Sequence, residues 1–255
     1  MALARVENPI VLVHGLFGFN VVRVGQTKIV SYFPGIEEAL IGAGNRVYSA
    51  QTSPTGGVAT RATQLRNYLQ RDLPGERCHI IAHSMGGLDA RYLISRLGMD
   101  DRVLSLTTIG TPHRGTTFAD WGVRRLERVV KPMFDYFEIP VQAFYDLTTD
   151  GCRAFNEEVR DVPGVRYFSV AGRAEGAWVS PEWRLPYMIV KATEGENDGV
   201  VSVASAQWGE QFDVWEGDHL SLVNWRNVWA SAKGLWQGRI GDYFGLVARL
   251  QTLGF

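Results

Sequence analysis

Short apolar runs alternate along the chain with longer stretches in which apolar side chains recur every three or four positions. Pro9 to Val13 is almost wholly apolar and stops at His14-Gly15, the pattern of a strand buried on both faces of a parallel sheet. After a loop rich in glycine and polar residues, Phe33 to Ala43 places Ile36, Ala39 and Leu40 on one helical stripe closed by Gly42 and Gly44, and Arg46 to Ala50 reads as a second strand. Val58 to Leu73 repeats the helical pattern through Ala62, Leu65, Tyr68 and Leu69 and ends at Pro74-Gly75. Cys78 to His83 is again a short strand, Met85 to Leu97 an amphipathic helix, and Val103 to Ile109 a further strand. Val165 to Val170 and Val200 to Val203 are expected as later strands, and Leu220 to Trp236 as a late helix. Strands alternating with helices in this way imply an α/β fold, a mostly parallel central sheet with helices on both faces, built as a single domain over 1–255.

One stretch leaves this rhythm. Thr116 to Thr149 has no strand pattern and carries Trp121, Met133, Phe134, Tyr136, Phe137, Phe144 and Tyr145. Pro132 and Pro140 interrupt its helical pattern, so two or three short helices are expected as an insertion over one end of the sheet, either a movable lid or a fixed packed cap.

Composition narrows the partners. The 255 residues are 45% hydrophobic and 21% charged, suited to one domain with a sizeable core. With 26 Lys+Arg against 27 Asp+Glu the net charge is -1, which gives no field for a nucleic-acid partner. The 2 cysteines, Cys78 and Cys152, have no C-x-x-C spacing, which excludes a thiolate metal cage. No segment has the ~18 to 20 uninterrupted apolar residues of a membrane span, so no transmembrane anchoring is expected. Met1 to Glu7 lacks the pattern of a Sec signal; the expectation is a cytoplasmic protein, one exported by a non-Sec route, or a secreted one whose leader has been removed. Nothing in the pattern sets an oligomeric state.

The sharpest chemical signal is Ala82-His83-Ser84-Met85-Gly86-Gly87, where a buried strand runs straight into a helix. Such a turn strains the serine backbone and lifts its hydroxyl above the sheet, and it requires small residues two before and two after. Ala82 stands where glycine is more usual. Ser84 therefore reads as a nucleophile, against the plainer role of capping the helix from Met85. A serine hydroxyl needs a base within hydrogen-bond reach, oriented by a carboxylate. Of the histidines, His79 lies inside a strand and His83 directly precedes Ser84 with its side chain off the other side of the turn, so both read as structural, while His14 and His113 follow strands at the end of the sheet that bears the cleft. His219, in a polar loop before the late helix, is the expected base. Asp198, in Asn197-Asp198-Gly199 at a turn, is the expected acid, although this tripeptide also suits a surface turn and Asp213 and Asp218 compete. The order Ser, Asp, His is that of the α/β-hydrolases. Backbone donors for an oxyanion are expected from Leu16, in the glycine-rich loop after the first strand, and from Met85 at the helix start. No phosphate-binding G-x-x-x-x-G-K-[ST] is present.

The chain resembles the bacterial true lipases of the Pseudomonas, Burkholderia and Proteus group. The resemblance is carried by Pro9-Ile10-Val11-Leu12-Val13-His14-Gly15-Leu16-Phe17-Gly18-Phe19, His83-Ser84-Met85-Gly86-Gly87 with Arg91-Tyr92, Gly110-Thr111-Pro112-His113-Arg114-Gly115, Asn197-Asp198-Gly199-Val200-Val201 and Asp218-His219-Leu220. It implies an α/β-hydrolase fold, a Ser84, Asp198, His219 triad, an oxyanion hole from Leu16 and Met85, and 116–149 as a lid. His14, Phe17, His83, Phe134 and Phe137 are then expected at the substrate cleft. The implied activity is hydrolysis of medium- or long-chain acyl esters such as triacylglycerols, with a lipid or ester partner that can lie at a lipid–water interface. A short-chain carboxylesterase, or a phospholipase or acyltransferase on the same triad, is the alternative, and a non-catalytic binding protein the remotest. The resembled lipases also bind a structural calcium through an Asp two positions after the histidine and a Gln four further on, where this chain has Ser221 and Trp225, and often carry a disulfide near the acid loop, where it has Ala204. A calcium-independent protein with no cofactor, no metal site and no disulfide is expected.

Overall fold

The computed structural model describes residues 4–18, 31–125 and 142–255 in full, and the backbone alone over 21–24, 27–30 and 126–129. Six strands form one parallel sheet: β1 (Ile10–Val13), β4 (Val47–Ala50), β5 (Cys78–His83), β6 (Val103–Ile109), β7 (Arg166–Arg173) and β8 (Gln211–Glu216), in the order β4-β1-β5-β6-β7-β8. Every residue of β1, β5 and β6 is buried, because helices cover both faces of the sheet. Successive strand side chains point to opposite faces, which divides the core in two. Ile10, Leu12, Ile81 and Ile109 pack with α1 (Ile36–Gly42) and the C-terminal helix α10 (Ile240–Thr252). Val11, Val13, Ile80 and Ala82 pack with α2 (Val58–Asp72) and α3 (Met85–Arg96). Each fully buried Val, Leu or Ile contributes roughly 1.5–3 kcal/mol, so the central strands are the firmest support available to a site at their C-terminal ends. Cys78 and Cys152 are both buried free thiols.

Three departures from the sequence expectations occur. The polar loop after β1 contains a hairpin, β2 (Val21–Val24) with β3 (Thr27–Ser31). Val200 to Val203 is not a strand: Asp198 Oδ1 accepts the amides of Val200 and Val201 at 3.0 and 2.8 Å, Gly199 has φ 109°, and the chain curls into a short helix, α8 (Val203–Ala206). The sixth strand is instead β8, an edge strand whose residues are all at least partly exposed and which therefore shows no apolar run. Leu220 to Trp236 is not one helix. It makes a 3₁₀ turn over Ser221–Val223, reverses at Asn224 with φ 72°, and resumes as α9 (Val228–Ala232), whose first turn the Asn227 side chain caps.

In the 116–149 insertion, α4 (Thr117–Val129) and α5 (Gln142–Asp146) lead to α6 (Thr149–Glu158). Pro132, Met133, Phe134, Tyr136, Phe137 and Pro140 lie outside the described residues. The two ends of the insertion are tied together: Thr116 N donates to Leu147 O at 3.0 Å, and Thr149 donates through N and Oγ1 to the Asp120 carboxylate, each at 2.9 Å. A further helix, α7 (Arg184–Glu194), packs against α4.

Candidate active site

Ser84 sits where β5 meets α3, with φ 56°. A non-glycine residue in this region stores strain, which the fully buried strand and helix on either side hold in place. The close packing around it accounts for the glycines. A Cβ on Gly86 would lie 2.7 Å from His14 O, and one on Gly15 would lie 2.7 Å from Ser84 Cβ and 3.1 Å from its Oγ. Only glycine lets the loop after β1 approach the nucleophile this closely.

That loop is held from below by a buried cation. Arg61, on α2, donates through Nη2 to His14 O at 2.7 Å, through Nη1 to Ser53 O, and through Nε to Asp89 Oδ2 at 2.8 Å. Both members of the Arg61–Asp89 pair are fully buried. Burial pushes the Asp89 carboxyl up to about 7, with the Arg61 charge opposing that rise. On the other side of the loop, Gly15 N donates to Tyr32 Oη at 3.1 Å and Phe17 N to Pro54 O at 2.7 Å. The Leu16 amide between these anchors and the Met85 amide at the start of α3 have no hydrogen-bond partner among the described residues. Two unengaged N–H groups beside a serine hydroxyl are the raw material of an oxyanion hole.

Across the sheet, the turn after α7 and the loop after β8 bring Asp198 to His219. His219 Nδ1 lies 2.7 Å from Asp198 Oδ2, and His219 N donates to Asp198 O at 2.7 Å. With Oδ1 engaged by Val200 and Val201, the carboxylate is buried and its acceptor positions are filled by donors that fix its plane. This arrangement leaves the proton of a neutral His219 on Nδ1 and the lone pair on Nε2. Gly110 and Gly172, at the ends of β6 and β7, make the room: a Cβ on Gly172 would lie 2.6 Å from Asp198 Cβ, and one on Gly110 would lie 3.3 Å from His219 Cε1. The other two candidate acids lie elsewhere, Asp213 paired with Arg249 and Asp218 with Ser221 and Asn227.

Ser84 and His219 face one cavity of about 470 Å³, with no direct hydrogen bond between them. Hydrogen bonds of this kind often close only when substrate is bound. The cavity wall is almost entirely apolar. Leu16 and Phe17 come from the oxyanion loop, Phe118, Ala119, Phe144 and Leu147 from the insertion, and Val200, Val201 and Leu220 from the loops that carry Asp198 and His219.

Of the residues expected at the cleft, Phe17 lines it, 61% exposed and packed on Phe144. His14 and His83 do not; both are buried and have other work. His14 Nδ1 donates to Gly15 O at 2.9 Å while Nε2 accepts from Thr52 N at 3.2 Å, and burial lowers its pKa to about 4. His83 bonds Tyr32 Oη through Nδ1 at 2.8 Å and His219 O through Nε2 at 3.0 Å. Burial holds His83 neutral, so Nε2–H donates to His219 O and Nδ1 accepts from Tyr32. Gly15 N, Tyr32 Oη, His83 and His219 O thus form one directed chain from the oxyanion loop to the histidine loop. Phe134 and Phe137 lie outside the described residues. Sequence reasoning missed Tyr32, Trp183 and Trp225, which also line the cavity. Tyr32 directly follows the unforeseen hairpin, Trp183 lies in a stretch to which no element was assigned, and Trp225 follows the reversal at Asn224 where one continuous helix is expected.

At the two positions where the resembled lipases carry calcium ligands, both side chains are engaged as donors within the protein. Trp225 Nε1 is a donor and bonds Tyr32 O at 3.0 Å, and Ser221 Oγ donates to Asp218 O at 2.7 Å. Among the described residues no three His, Cys, Asp or Glu side chains converge as a metal site, and no helix is long and apolar enough to cross a membrane.

A parallel sheet with a strained serine between its central strand and the following helix defines an α/β-hydrolase. Residues 9–139, just over half of the chain, match the family described as Palmitoyl protein thioesterase, and the chain belongs to that hydrolase family. It is 33% identical over 210 residues to Triacylglycerol lipase 2 of Saccharomyces cerevisiae, across 78% of this chain and 64% of that protein. It is 29% identical over 254 residues to a Triacylglycerol lipase of Vibrio cholerae, across 85% of this chain and 79% of its relative. Among solved structures, the mature Bacillus licheniformis lipase BlEst2 superposes with a TM-score of 0.69 at 23% identity, covering 85% of this chain and 86% of that one, which shows the shared fold. The resemblance to the bacterial lipases is borne out by these relatives together with those of Pseudomonas and Burkholderia.

Proposed function

We propose that this chain hydrolyses carboxylic esters of medium or long acyl chains, triacylglycerols above all, through an acyl-enzyme on Ser84. The observation that carries this reading is the apolar cavity with Ser84 and His219 in its wall, a container for an acyl chain that ends at a nucleophile and a base. His219 Nε2 takes the Ser84 proton as Oγ attacks the ester carbon. Asp198 keeps the other imidazole proton on Nδ1 and stabilises the imidazolium as it forms. The amides of Leu16 and Met85 receive the oxyanion, each worth on the order of 3 kcal/mol. His219 then returns its proton to the leaving alkoxide, activates a water, and the acyl chain departs as a carboxylic acid. The second histidine at the site stays neutral through burial and holds His219 by its backbone, so it does not compete for the proton.

We read the 116–149 insertion as a lid over this cavity, supported by the six cavity-wall residues it supplies, Thr116, Phe118, Ala119, Gly122, Phe144 and Leu147. Moving them into water costs about 25 cal/mol per Å² of apolar surface exposed, which a lipid surface would offset. Activity on one ester measured below and above its solubility limit checks this: a lid gives a jump, a fixed cap none.

The match to the thioesterase family favours one further reading, in which the same cavity holds the acyl chain of a thioester. Hydrolysis of a p-nitrophenyl ester series from acetate to palmitate, beside a palmitoyl thioester and the Ser84→Ala protein, separates these. Rates that rise with chain length and vanish in the variant support the lipase; rates confined to acetate and butyrate make it a short-chain esterase; preference for the thioester selects the second reading.

A further inference from the structure

The loop from Gly217 to Trp225 carries both His219 and the two positions where the resembled lipases place calcium ligands. In this chain its polar groups are joined to one another. Asp218 Oδ1 accepts Ser221 N at 2.8 Å, Asp218 Oδ2 accepts Asn227 Nδ2 at 2.6 Å, and Ser221 Oγ donates to Asp218 O. All three residues are buried. Asn227 reaches beyond the loop: Nδ2 also donates to Trp178 O at 3.1 Å, and Oδ1 accepts Ala230 N at 2.8 Å in the first turn of α9. From the opposite side Arg239 donates through Nε to Ser221 O at 3.3 Å and through Nη2 to Glu216 O. Its guanidinium lies between the rings of Trp178 and Trp215, at 5.7 and 5.8 Å from their centroids. A Cβ on Gly217 would collide with Ser221 Oγ and approach Arg239 Nη2 at 2.7 Å, so the space beside the loop is already filled by side chains.

Two consequences follow from the donor set. A calcium ion needs several oxygen lone pairs turned toward one point. Here both Asp218 oxygens are engaged by N–H donors, and of the two ligand positions Trp225 offers only an indole N–H while the Ser221 hydroxyl is already turned to Asp218 O, with the Arg239 guanidinium beside them. The same bonds fix the backbone on both sides of His219, whose own N and O are taken by Asp198 and His83.

We infer that an all-protein brace of Asp218, Ser221, Asn227 and Arg239 does for the histidine loop here what a structural calcium does in the resembled lipases, and that Asn227 is a positioning residue for His219. The inference rests on the hydrolase reading for its kinetic arm and on the geometry alone for its thermal one. The brace makes metal redundant: it fixes the loop by hydrogen bonds to a buried carboxylate and by an arginine, and the Asp218 oxygens that could face a cation are already engaged by N–H donors.

The test uses the full chain, p-nitrophenyl butyrate, and thermal unfolding, each with excess EDTA and with added calcium chloride. The wild type is expected to keep the same kcat and the same Tm in both. Asn227→Ala is expected to lower kcat about 10-fold with KM unchanged, a loss typical of a displaced catalytic group, and calcium should not restore it. Titration of active sites with a phosphonate ester counts the competent molecules, so a loss of folded protein is separated from a displaced His219. Should Asn227→Ala fail to fold, Ser221→Ala removes a single bond of the brace and is expected to lower kcat about 3-fold per active site. A fall in wild-type Tm or kcat in EDTA that calcium reverses overturns the inference, as does wild-type kcat per active site in the folded variants. Ester hydrolysis that persists in Ser84→Ala defeats the hydrolase reading instead, and leaves the thermal comparison standing.

Discussion

The two halves of the candidate site are built by different means. The nucleophile and oxyanion side stands on β1, β5 and α3, whose residues are almost all buried, and its geometry is set by glycines and by a strained backbone at Ser84. The acid and histidine side stands on loops after α7 and β8, and its geometry is set by side-chain hydrogen bonds: Asp198 to the Val200 and Val201 amides, Asp218 to Ser221, and Asn227 across to Trp178. A tight turn between buried elements tolerates only a few small residues, whereas a hydrogen-bonded loop can be made from many combinations. The first kind of site is written in local motifs, the second in contacts between residues far apart in the chain.

The largest effect expected on either side is chemical. Asp198→Asn leaves the loop shape intact but favours the wrong His219 tautomer, and should lower kcat about 10⁴-fold with little change in Tm, as read by ester hydrolysis beside thermal unfolding. A loss below 10-fold would mean that the second half of the site is not catalytic at all.

Arg61→Ala attacks the first side through its foundation. It leaves the Asp89 carboxyl fully buried without its cation and frees His14 O, and should destabilise the fold by about 3–5 kcal/mol in urea unfolding. A variant as stable as the wild type would show that the oxyanion loop does not depend on the buried pair.

Acid should also act on the first side. His14 and His79 have pKa values lowered by burial to about 4, and burial holds His83 and His113 well below the ordinary value of 6.5. In the unfolded chain these histidines bind protons as pH falls through about 6.5, while in the folded chain they stay neutral to about pH 4 or below, so acidification favours unfolding across that window. At ~1.4 kcal/mol per pKa unit, His14 alone accounts for ~3 kcal/mol. Asp89 and Asp218, whose carboxyls burial raises, work in the opposite direction but are outnumbered. Calorimetry should show a Tm that falls by ~10 °C or more between about pH 7 and about pH 4 and is nearly flat from about pH 7 to about pH 8. A flat profile through the acid range would contradict the neutral, buried state of these histidines.

The smallest effect probes the link between the halves. Tyr32→Phe removes the hydroxyl that joins Gly15 N to His83, and through His83 the His219 backbone. A fall of about 10-fold in kcat at constant KM is expected, and an unchanged kcat would show that the two halves are set independently.

Legibility followed the same division. The alternation of apolar runs and helical stripes placed β1, β4, β5, β6 and β7, because strands buried on both faces must be apolar and short. Ser84 was readable because its small neighbours must be local. β8 was missed because an edge strand with exposed faces has no apolar signature, and Val200 to Val203 was misread as a strand because its valines line the cavity or pack beside it while their amides turn toward Asp198. His14 was expected at the cleft because it follows a strand, and His83 because the resemblance implies it, although a residue directly before Ser84 points off the other side of the turn. Their rings are buried and hold the backbone of the two loops that meet there. The brace around Asn227 had no local signal, since its partners span Trp178 to Arg239.

The most direct measurement of the central claim is peptide mass mapping after reaction with a long-chain p-nitrophenyl phosphonate, a tetrahedral mimic of the acylation step. The account expects one adduct per chain on Ser84, complete loss of ester hydrolysis at that stoichiometry, and no adduct in His219→Ala on the same timescale. An adduct on another residue, or full hydrolysis persisting once Ser84 is modified, would contradict it.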